Sequence, residues 1–333
     1  MKPLRIAMAG AGMVSRHHLV AWSRCADATV VGIADPDPDR ARARAASFGI
    51  PASFDDAARM LDATRPDALD ITAGHEAHAK LCALAAARGV AILCQKPLGP
   101  TQSIAEAIVA EVGTRVRLMV HENWRHRPYY RQVKAWQDAG MVGALRHVVV
   151  TARGAGLLPA ADGTRPALAR QPMLATLPRL MIGEVLVHHL DVACWLAGDL
   201  TVRAACARRD VPDIAGESAA VILLRGPEAC TVLVEGDLAA VGAPARVGDR
   251  LELLGTAGAV RYENGALTLV RAHAPPEVVR YDTDLAYQRS YDGAIAHFAA
   301  AFRHDLPFET PPEVHLRVLA LVEAAYALAA SAR

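Results

Sequence analysis

Ile6-Ala7-Met8-Ala9-Gly10-Ala11-Gly12-Met13-Val14-Ser15 runs from a short apolar strand through a glycine turn into the start of a helix. The first four residues are the apolar run that a buried parallel strand needs. Gly10 permits the tight turn, and Gly12 lets the main chain approach a pyrophosphate. The helix start at Met13 and Val14 turns free N–H groups and a partial positive charge toward that anion. Ser15 holds the third glycine position of such loops and is small enough to keep helix and strand close. The next strand, Thr29–Ala34, ends in Asp35, near the roughly 20-residue spacing at which a carboxylate takes the adenosine ribose hydroxyls. A carboxylate there repels a 2′-phosphate, so the pattern predicts NAD over NADP, although Arg16 and Arg40 lie nearby in sequence.

The chain has 333 residues, long for one core, and two domains are expected. Lys and Arg nearly balance Asp and Glu, for a formal net charge of +1. No basic stripe with interleaved aromatics occurs, which argues against a nucleic-acid partner. No leader pattern opens the sequence, and no window approaches the roughly eighteen apolar residues of a membrane span. Six cysteines are scattered without a C-x-x-C pair, which suits reduced thiols in the cytoplasm and shows no metal-ligand spacing.

From the N-terminus to about Val120, strand-like runs (Arg5–Ala9, Thr29–Ala34, Ala68–Thr72, Val90–Cys94, Arg117–Val120) alternate with helical ones such as Pro38–Phe48 and Ala77–Arg88. This predicts a doubly wound parallel sheet, a dinucleotide-binding domain over 1–121. After Glu122 the order changes to a helix over Arg127–Ala139 and a strand over Leu145–Arg153. A long Gly/Pro/Ala segment follows to about Pro178, the kind that forms lids or linkers. Then come a helix over Leu180–Leu196 and strands at Thr201–Arg208, Ser218–Leu224, Ala229–Glu235, Arg250–Gly255, Gly258–Glu263 and Ala266–Arg271. Helices over Asp292–Arg303 and Pro312–Ala332 close the chain. Consecutive strands with turns such as Glu263-Asn264-Gly265 predict an α+β domain over 122–333 with an open, mostly antiparallel sheet. Its final helices are expected to pack back on the first domain, and its open face predicts a homodimer or homotetramer.

Three segments carry chemistry. Gln95-Lys96-Pro97 follows a strand of the first domain, where ligands of open α/β sheets sit, and Lys96 can reach a substrate oxygen. Glu184, His188 and Asp191 fall at i, i+4 and i+7, one face of a helix whose other residues are mostly apolar. Such an acid–histidine–acid stripe suits proton transfer or a satisfied structural histidine. His189 points elsewhere and is expected to be structural. His121-Glu122-Asn123-Trp124-Arg125-His126-Arg127-Pro128 packs polar donors into the crossover between the domains.

Together these residues resemble the Gfo/Idh/MocA family of glucose–fructose oxidoreductase and inositol dehydrogenase, over essentially the whole chain. Gly10-Ala11-Gly12 with His18 looks like the family's opening loop, and Gln95-Lys96-Pro97 like its Glu-Lys-Pro motif. Asn123-Trp124-Arg125 with Pro128 looks like its crossover. Glu184, His188 and Asp191 look like its Asp-x-Gly-x-His-x-x-Asp motif, with Leu186 at the glycine. The stretch from Arg170 to Glu184 looks closer to the apiose-type sugar dehydrogenase branch.

The resemblance implies a pyridine-nucleotide oxidoreductase acting on a sugar, polyol or related hydroxy compound. Gly10, Gly12, Met13, Val14, Asp35, Ala73, His78, Gln95 and Lys96 would contact NAD. Lys96 would bind the reacting oxygen, His188 would move its proton, and Glu184 would orient His188 or bind a neighbouring hydroxyl. Asp191, Arg125, Trp124 and Arg165 would contact substrate, in a cleft between the domains. Gln95 removes a negative charge beside Lys96, so the lysine cation is expected to be held less strongly. A non-catalytic ligand sensor is the competing reading, disfavoured because Lys96 and His188 are both retained. A cyclic diol or hydroxy acid is a further one, with Arg165, Arg170 and Arg179 available to a carboxylate.

Overall fold

The computed structural model describes residues 2–331. The chain divides into two compact units, Met1–His126 with Tyr287–Arg317, and Arg127–Ala286 with Val318–Arg333.

The first unit alternates β1 (Leu4–Ala9), α1 (Met13–Arg24), β2 (Ala28–Ala34), α2 (Pro38–Phe48), β3 (Ser53–Phe54), α3 (Ala57–Thr64), β4 (Ala68–Ile71), α4 (His78–Ala86), β5 (Ala91–Gln95), α5 (Gln102–Val112) and β6 (Leu118–His121). Among the described residues these strands form one six-stranded parallel sheet in the order β3-β2-β1-β4-β5-β6. The order reverses at β1, which creates a crevice beyond the strand C-termini. The last four residues of β1, and all of β4 and β5, are buried, as parallel strands covered by helices on both faces require. Local chemistry sets the helix ends. Asp37 caps α2 by accepting from the N–H groups of Asp39 and Arg40, with Pro38 in the first turn and left-handed Gly49 after the last.

The second unit begins with α6 (Pro128–Asp138) and β7 (Leu145–Arg153), followed by α7 (Pro166–Arg170) and α8 (Leu186–Ala197). Strands β8 (Thr201–Arg208), β9 (Ala219–Arg225), β10 (Thr231–Asp237), β11 (Gly248–Gly255), β12 (Gly258–Glu263), β13 (Ala266–Arg271) and β14 (Glu277–Arg280) follow. With β7 they make an eight-stranded sheet in the order β14-β13-β12-β11-β7-β10-β9-β8 among the described residues. All pairs are antiparallel except β7 with β10. The expected fold class, a Rossmann domain followed by a mostly antiparallel open sheet, is the one observed.

Helices α9 (Thr283–Arg303) and α10 (Pro312–Ser331) end the described chain. Tyr291, Ile295 and Phe298 of α9 lie in the same apolar cluster as Ile6, Met8 and Trp22, so late sequence completes the first core. Helix α9 starts nine residues before its expected beginning at Asp292, because Asp282 accepts from the N–H groups of Asp284 and Leu285 and caps an earlier turn. The short strands β3 and β14 escape a reading of apolar runs because the pairing of a sheet edge creates them. The segment from Gly154 to Pro178 is not featureless. It holds α7 and a short 3₁₀ turn over Pro172–Ala175, and main-chain bonds tie it down from Gly154 to Asp237, Leu157 to Leu238 and Ala215 to Ala175.

The largest departure lies before α8. The expected helix over Leu180–Leu196 is α-helical only from Leu186, and Met181–Val185 forms a π-turn. There the Val185 N–H donates to the Leu180 carbonyl and the Leu186 N–H to that of Met181, each spanning five residues. No helix among the described residues is long and apolar enough to cross a membrane.

Candidate active site

The glycine turn is built as the sequence suggested. Gly10 has φ +106°, and a Cβ there would stand 2.5 Å from the Ala73 nitrogen, so main chain meets main chain where β1 and β4 diverge. Ala73 is therefore part of the turn's backing. Gly12 caps α1 with no side chain on the helix's first N–H groups, and no acidic residue occupies the first turn. A Cβ on Gly12 would meet nothing within 4 Å. Open space over free N–H groups and a positive helix end fits a dinucleotide pyrophosphate. Met13 is exposed and Val14 half-buried at that helix end.

Asp35 directly follows β2 and is 7 % exposed. Its Oδ2 accepts from the Ala11 N–H at 2.8 Å and its Oδ1 from the Asp37 N–H at 2.9 Å. The carboxylate therefore braces the glycine turn, and each oxygen keeps a lone pair for a ribose hydroxyl. Arg44 Nη2 holds the same turn from outside, donating to the carbonyls of Gly12 and Ala11.

A buried polar chain leads to Lys96. Asp70 accepts from His18 Nδ1 at 2.9 Å and from Trp22 Nε1 at 2.7 Å. That fixes the proton on Nδ1 and leaves His18 Nε2 as an acceptor, reached by the Gln95 amide at 2.9 Å. The same amide nitrogen lies 3.3 Å from His121 Nδ1, and Gln95 Oε1 accepts from the Lys96 N–H at 2.9 Å. Lys96 is half-buried and is joined to Pro97 by a cis peptide bond. Glu122, one step past β6 as Lys96 is one step past β5, accepts from the Trp124 N–H at 3.0 Å. Burial holds the Glu122 carboxyl above the usual range, and that N–H with the charges of His315, Lys96 and Arg125 offsets it only in part.

Several of the expected contact residues also hold the surrounding loops. His78 is fully buried, with Nε2 3.1 Å from the Ala73 carbonyl and Nδ1 at 3.1 and 3.2 Å from those of Pro97 and Leu98. Burial pushes its pKa down. Its side chain ties the loop after β4 to the Lys96-Pro97 turn. Arg125, 3 % exposed, donates to the Glu309 carbonyl, and Arg165 donates to that of Pro212 at 2.7 Å. Both brace loops. Trp124 is half-buried, edge-on to Tyr287. Arg179 pairs with Glu323 at 2.9 Å and covers the Tyr326 ring, so it is not an idle carboxylate clamp.

In the second unit, His188 (6 % exposed) and Asp191 (1 % exposed) lie one turn apart on α8. Half-buried Glu184 sits on the π-turn, so the single α-helical face read from the spacing holds for His188 and Asp191 only. His189 is structural as expected, with Nε2 3.1 Å from Asp249 Oδ1 and Nδ1 3.2 Å from the Val185 carbonyl.

The sequence reading missed Asp70, Glu217 and Tyr326. Asp70 had a signal, a lone acid inside the buried run Ala68-Leu69-Asp70-Ile71. Glu217 and Tyr326, which hold the π-turn, had none.

Residues 4–122 match the family described as oxidoreductase family, NAD-binding Rossmann fold, and residues 130–261 match the GFO/IDH/MocA C-terminal domain. A D-apiose dehydrogenase of Paraburkholderia graminis is 34 % identical over 100 % of this chain and 89 % of its own length. An inositol 2-dehydrogenase of Rhizobium meliloti is 27 % identical over 97 % and 96 %. An oxidoreductase from Agrobacterium radiobacter, solved in complex with NAD+, L-tartaric acid and magnesium, superposes with a TM-score of 0.92 at 28 % identity over 100 % and 98 %.

Proposed function

This chain belongs to the GFO/IDH/MocA oxidoreductase family, and we propose that it is an NAD-dependent dehydrogenase of a sugar, polyol or closely related hydroxy compound. The observation that carries the reading is the side-chain-free cap of α1 at Gly12, with open space in front of it, in residues that match an NAD-binding Rossmann fold. The N–H groups of that first turn would hold the pyrophosphate and Asp35 the ribose hydroxyls, which disfavours the 2′-phosphate of NADP. Bound NAD supplies the hydride acceptor.

A hydroxyl cannot give up hydride while it keeps its proton, so a base and an oxyanion-stabilising cation are needed at one oxygen. Lys96 donates from Nζ to the reacting oxygen and stabilises its alkoxide character. His188 takes the hydroxyl proton. Glu184 orients His188 or binds a neighbouring hydroxyl, and Asp191 supports the histidine or the substrate. The D-apiose and inositol 2-dehydrogenases support polyhydroxylated substrates. L-tartaric acid in the Agrobacterium oxidoreductase supports a second reading, a hydroxy acid.

The protein is also proposed to pair with a second copy through the open face of its larger sheet, where Val221, Leu223, Val270 and Val278 are exposed. Light scattering reads that assembly directly. The activity is tested by incubation with NAD and a panel of apiose, inositols, aldoses and tartrate, following nicotinamide absorbance. Turnover of a polyhydroxylated substrate is expected. Substrate-dependent binding without turnover would make the protein a ligand sensor instead.

A further inference from the structure

The π-turn that carries Glu184 is held by a pair of residues far away in sequence. Glu217, 1 % exposed, stands just before β9, and its Oε1 accepts from the Ile182 N–H at 3.0 Å. The Tyr326 hydroxyl, on α10 within the same unit, accepts from the Gly183 N–H at 3.1 Å and donates to that same Glu217 oxygen. Consecutive N–H groups at the centre of the turn are thus satisfied by one carboxylate–phenol pair.

Packing fixes the turn from other sides. Gly216 lies so close to its entry that a Cβ there would stand 2.4 Å from the Leu177 carbonyl oxygen and 2.9 Å from the Leu180 nitrogen. Met181 lies over Gly236 of β10. At the exit, His189 Nδ1 reaches the Val185 carbonyl. Burial and the Glu217 carboxylate push the Tyr326 pKa far up, so the phenol stays a donor. A π-turn costs regular α-helical bonding and occurs frequently at functional sites. Glu184 is the side chain that this one carries.

We infer that Glu217 and Tyr326 are positioning residues for Glu184, and that through this turn they set the catalytic geometry of the second unit. The inference rests on the dehydrogenase reading of Glu184 and His188. Neither residue is asked to touch substrate. Their work is to keep the N–H groups of Ile182 and Gly183 bonded in a conformation that a plain α-helix would not adopt. Losing one such buried bond is expected to cost about tenfold in the step that depends on the alignment.

The test uses the full-length protein in four forms: wild type, Tyr326→Phe, Glu217→Ala and Glu217→Gln. Amide hydrogen exchange over residues 180–186, NADH affinity, and kcat and KM on the best substrate of the panel are measured for each. Tyr326→Phe and Glu217→Ala should speed exchange at Ile182 and Gly183 and lower kcat about tenfold, with NADH affinity unchanged. Glu217→Gln keeps an acceptor for Ile182 and should recover most of kcat. Faster exchange with unchanged kcat would overturn the inference, as would equal losses in Glu217→Ala and Glu217→Gln. If the wild type turns over nothing, the dehydrogenase reading fails. Exchange still decides the positioning claim in that case, and unchanged protection in Tyr326→Phe overturns it.

Discussion

The Gln95 side-chain nitrogen lies 2.9 Å from His18 Nε2, and Asp70 holds the other nitrogen of that ring. Asp70 accepts a hydrogen bond from the His18 Nδ1–H, so Nε2 offers a lone pair, and an amide N–H is the partner it needs. A glutamate at position 95, as in the family motif, would bring a second acceptor to an acceptor. The ring would then have to donate from both nitrogens, between two carboxylates. Gln95→Glu should therefore destabilise the protein by about 1–3 kcal/mol, because a buried acceptor pair goes unbonded. Thermal unfolding of both proteins checks this, and an unchanged Tm in Gln95→Glu would refute it. Because Gln95 also accepts from the Lys96 N–H, the variant should change turnover as well as stability.

Asp35 has a second duty that alters how a cofactor-switching substitution should behave. Its carboxylate accepts from the Ala11 N–H inside the glycine turn. Asp35→Asn keeps an acceptor for that N–H and removes the charge. NADH binding should weaken about tenfold, as expected for loss of a charge-assisted hydrogen bond, while discrimination against NADPH falls. Asp35→Ala should lose more NADH affinity than Asp35→Asn, because the turn also loses its brace. Fluorescence titration with both nucleotides reads the ratio, and an NADH to NADPH preference unchanged in Asp35→Asn would remove Asp35 from cofactor selection.

Sequence exposed the first unit well because its signals are local. Gly10, Gly12, Asp35 and Lys96 each sit at a strand end that a short apolar run marks, and Asp37 and Pro38 fix a helix start within a few residues. The second unit was legible as strands, and β7, β8, β12 and β13 have the bounds that alternation implies. The path before α8 was not. A run such as Leu180-Met181-Ile182-Gly183-Glu184-Val185 has the composition of a helix, and the groups that widen it stand at positions 217 and 326. The bonds of His78 were hidden for the related reason that the carbonyls it joins, of Ala73, Pro97 and Leu98, belong to two different loops. Periodicity reports which face is apolar, and it is silent on which distant side chain claims a given N–H.

If His188 moves the substrate proton, His188→Ala should lower kcat by roughly 10²–10⁴. NADH affinity should stay within a factor of about two, since the nucleotide is assigned to residues of the first unit. Lys96→Met should lower kcat comparably, by loss of the donor to the developing alkoxide. Stopped-flow measurement of the hydride step separates chemistry from product release. A hydride step of wild-type rate in His188→Ala would end its assignment as the base.

The second unit should be acid-labile at one buried joint. Asp249 Oδ2 accepts from Arg127 Nη1 at 2.8 Å, from the Tyr129 hydroxyl at 2.7 Å and from the Tyr130 hydroxyl at 3.1 Å, while Oδ1 faces His189 Nε2. Burial alone would raise the carboxyl pKa, but the charges of Arg127 and His189 with these hydrogen bonds outweigh it and hold Asp249 well below the usual carboxylate range. A depressed folded-state pKa gives stability that is complete above the unfolded value of about 3.9 and is lost as pH falls toward the folded one. Asp249→Asn should cost about 3–5 kcal/mol at pH 7, because Arg127 and His189 are left buried against a neutral group. Below about pH 4 the gap to wild type should narrow, since the carboxyl of the unfolded wild type is then protonated while the folded one stays ionised. Urea unfolding at pH 7, 5 and 3.5 measures both limbs, and a gap of constant size across that range would show that the Asp249 charge does not hold this joint.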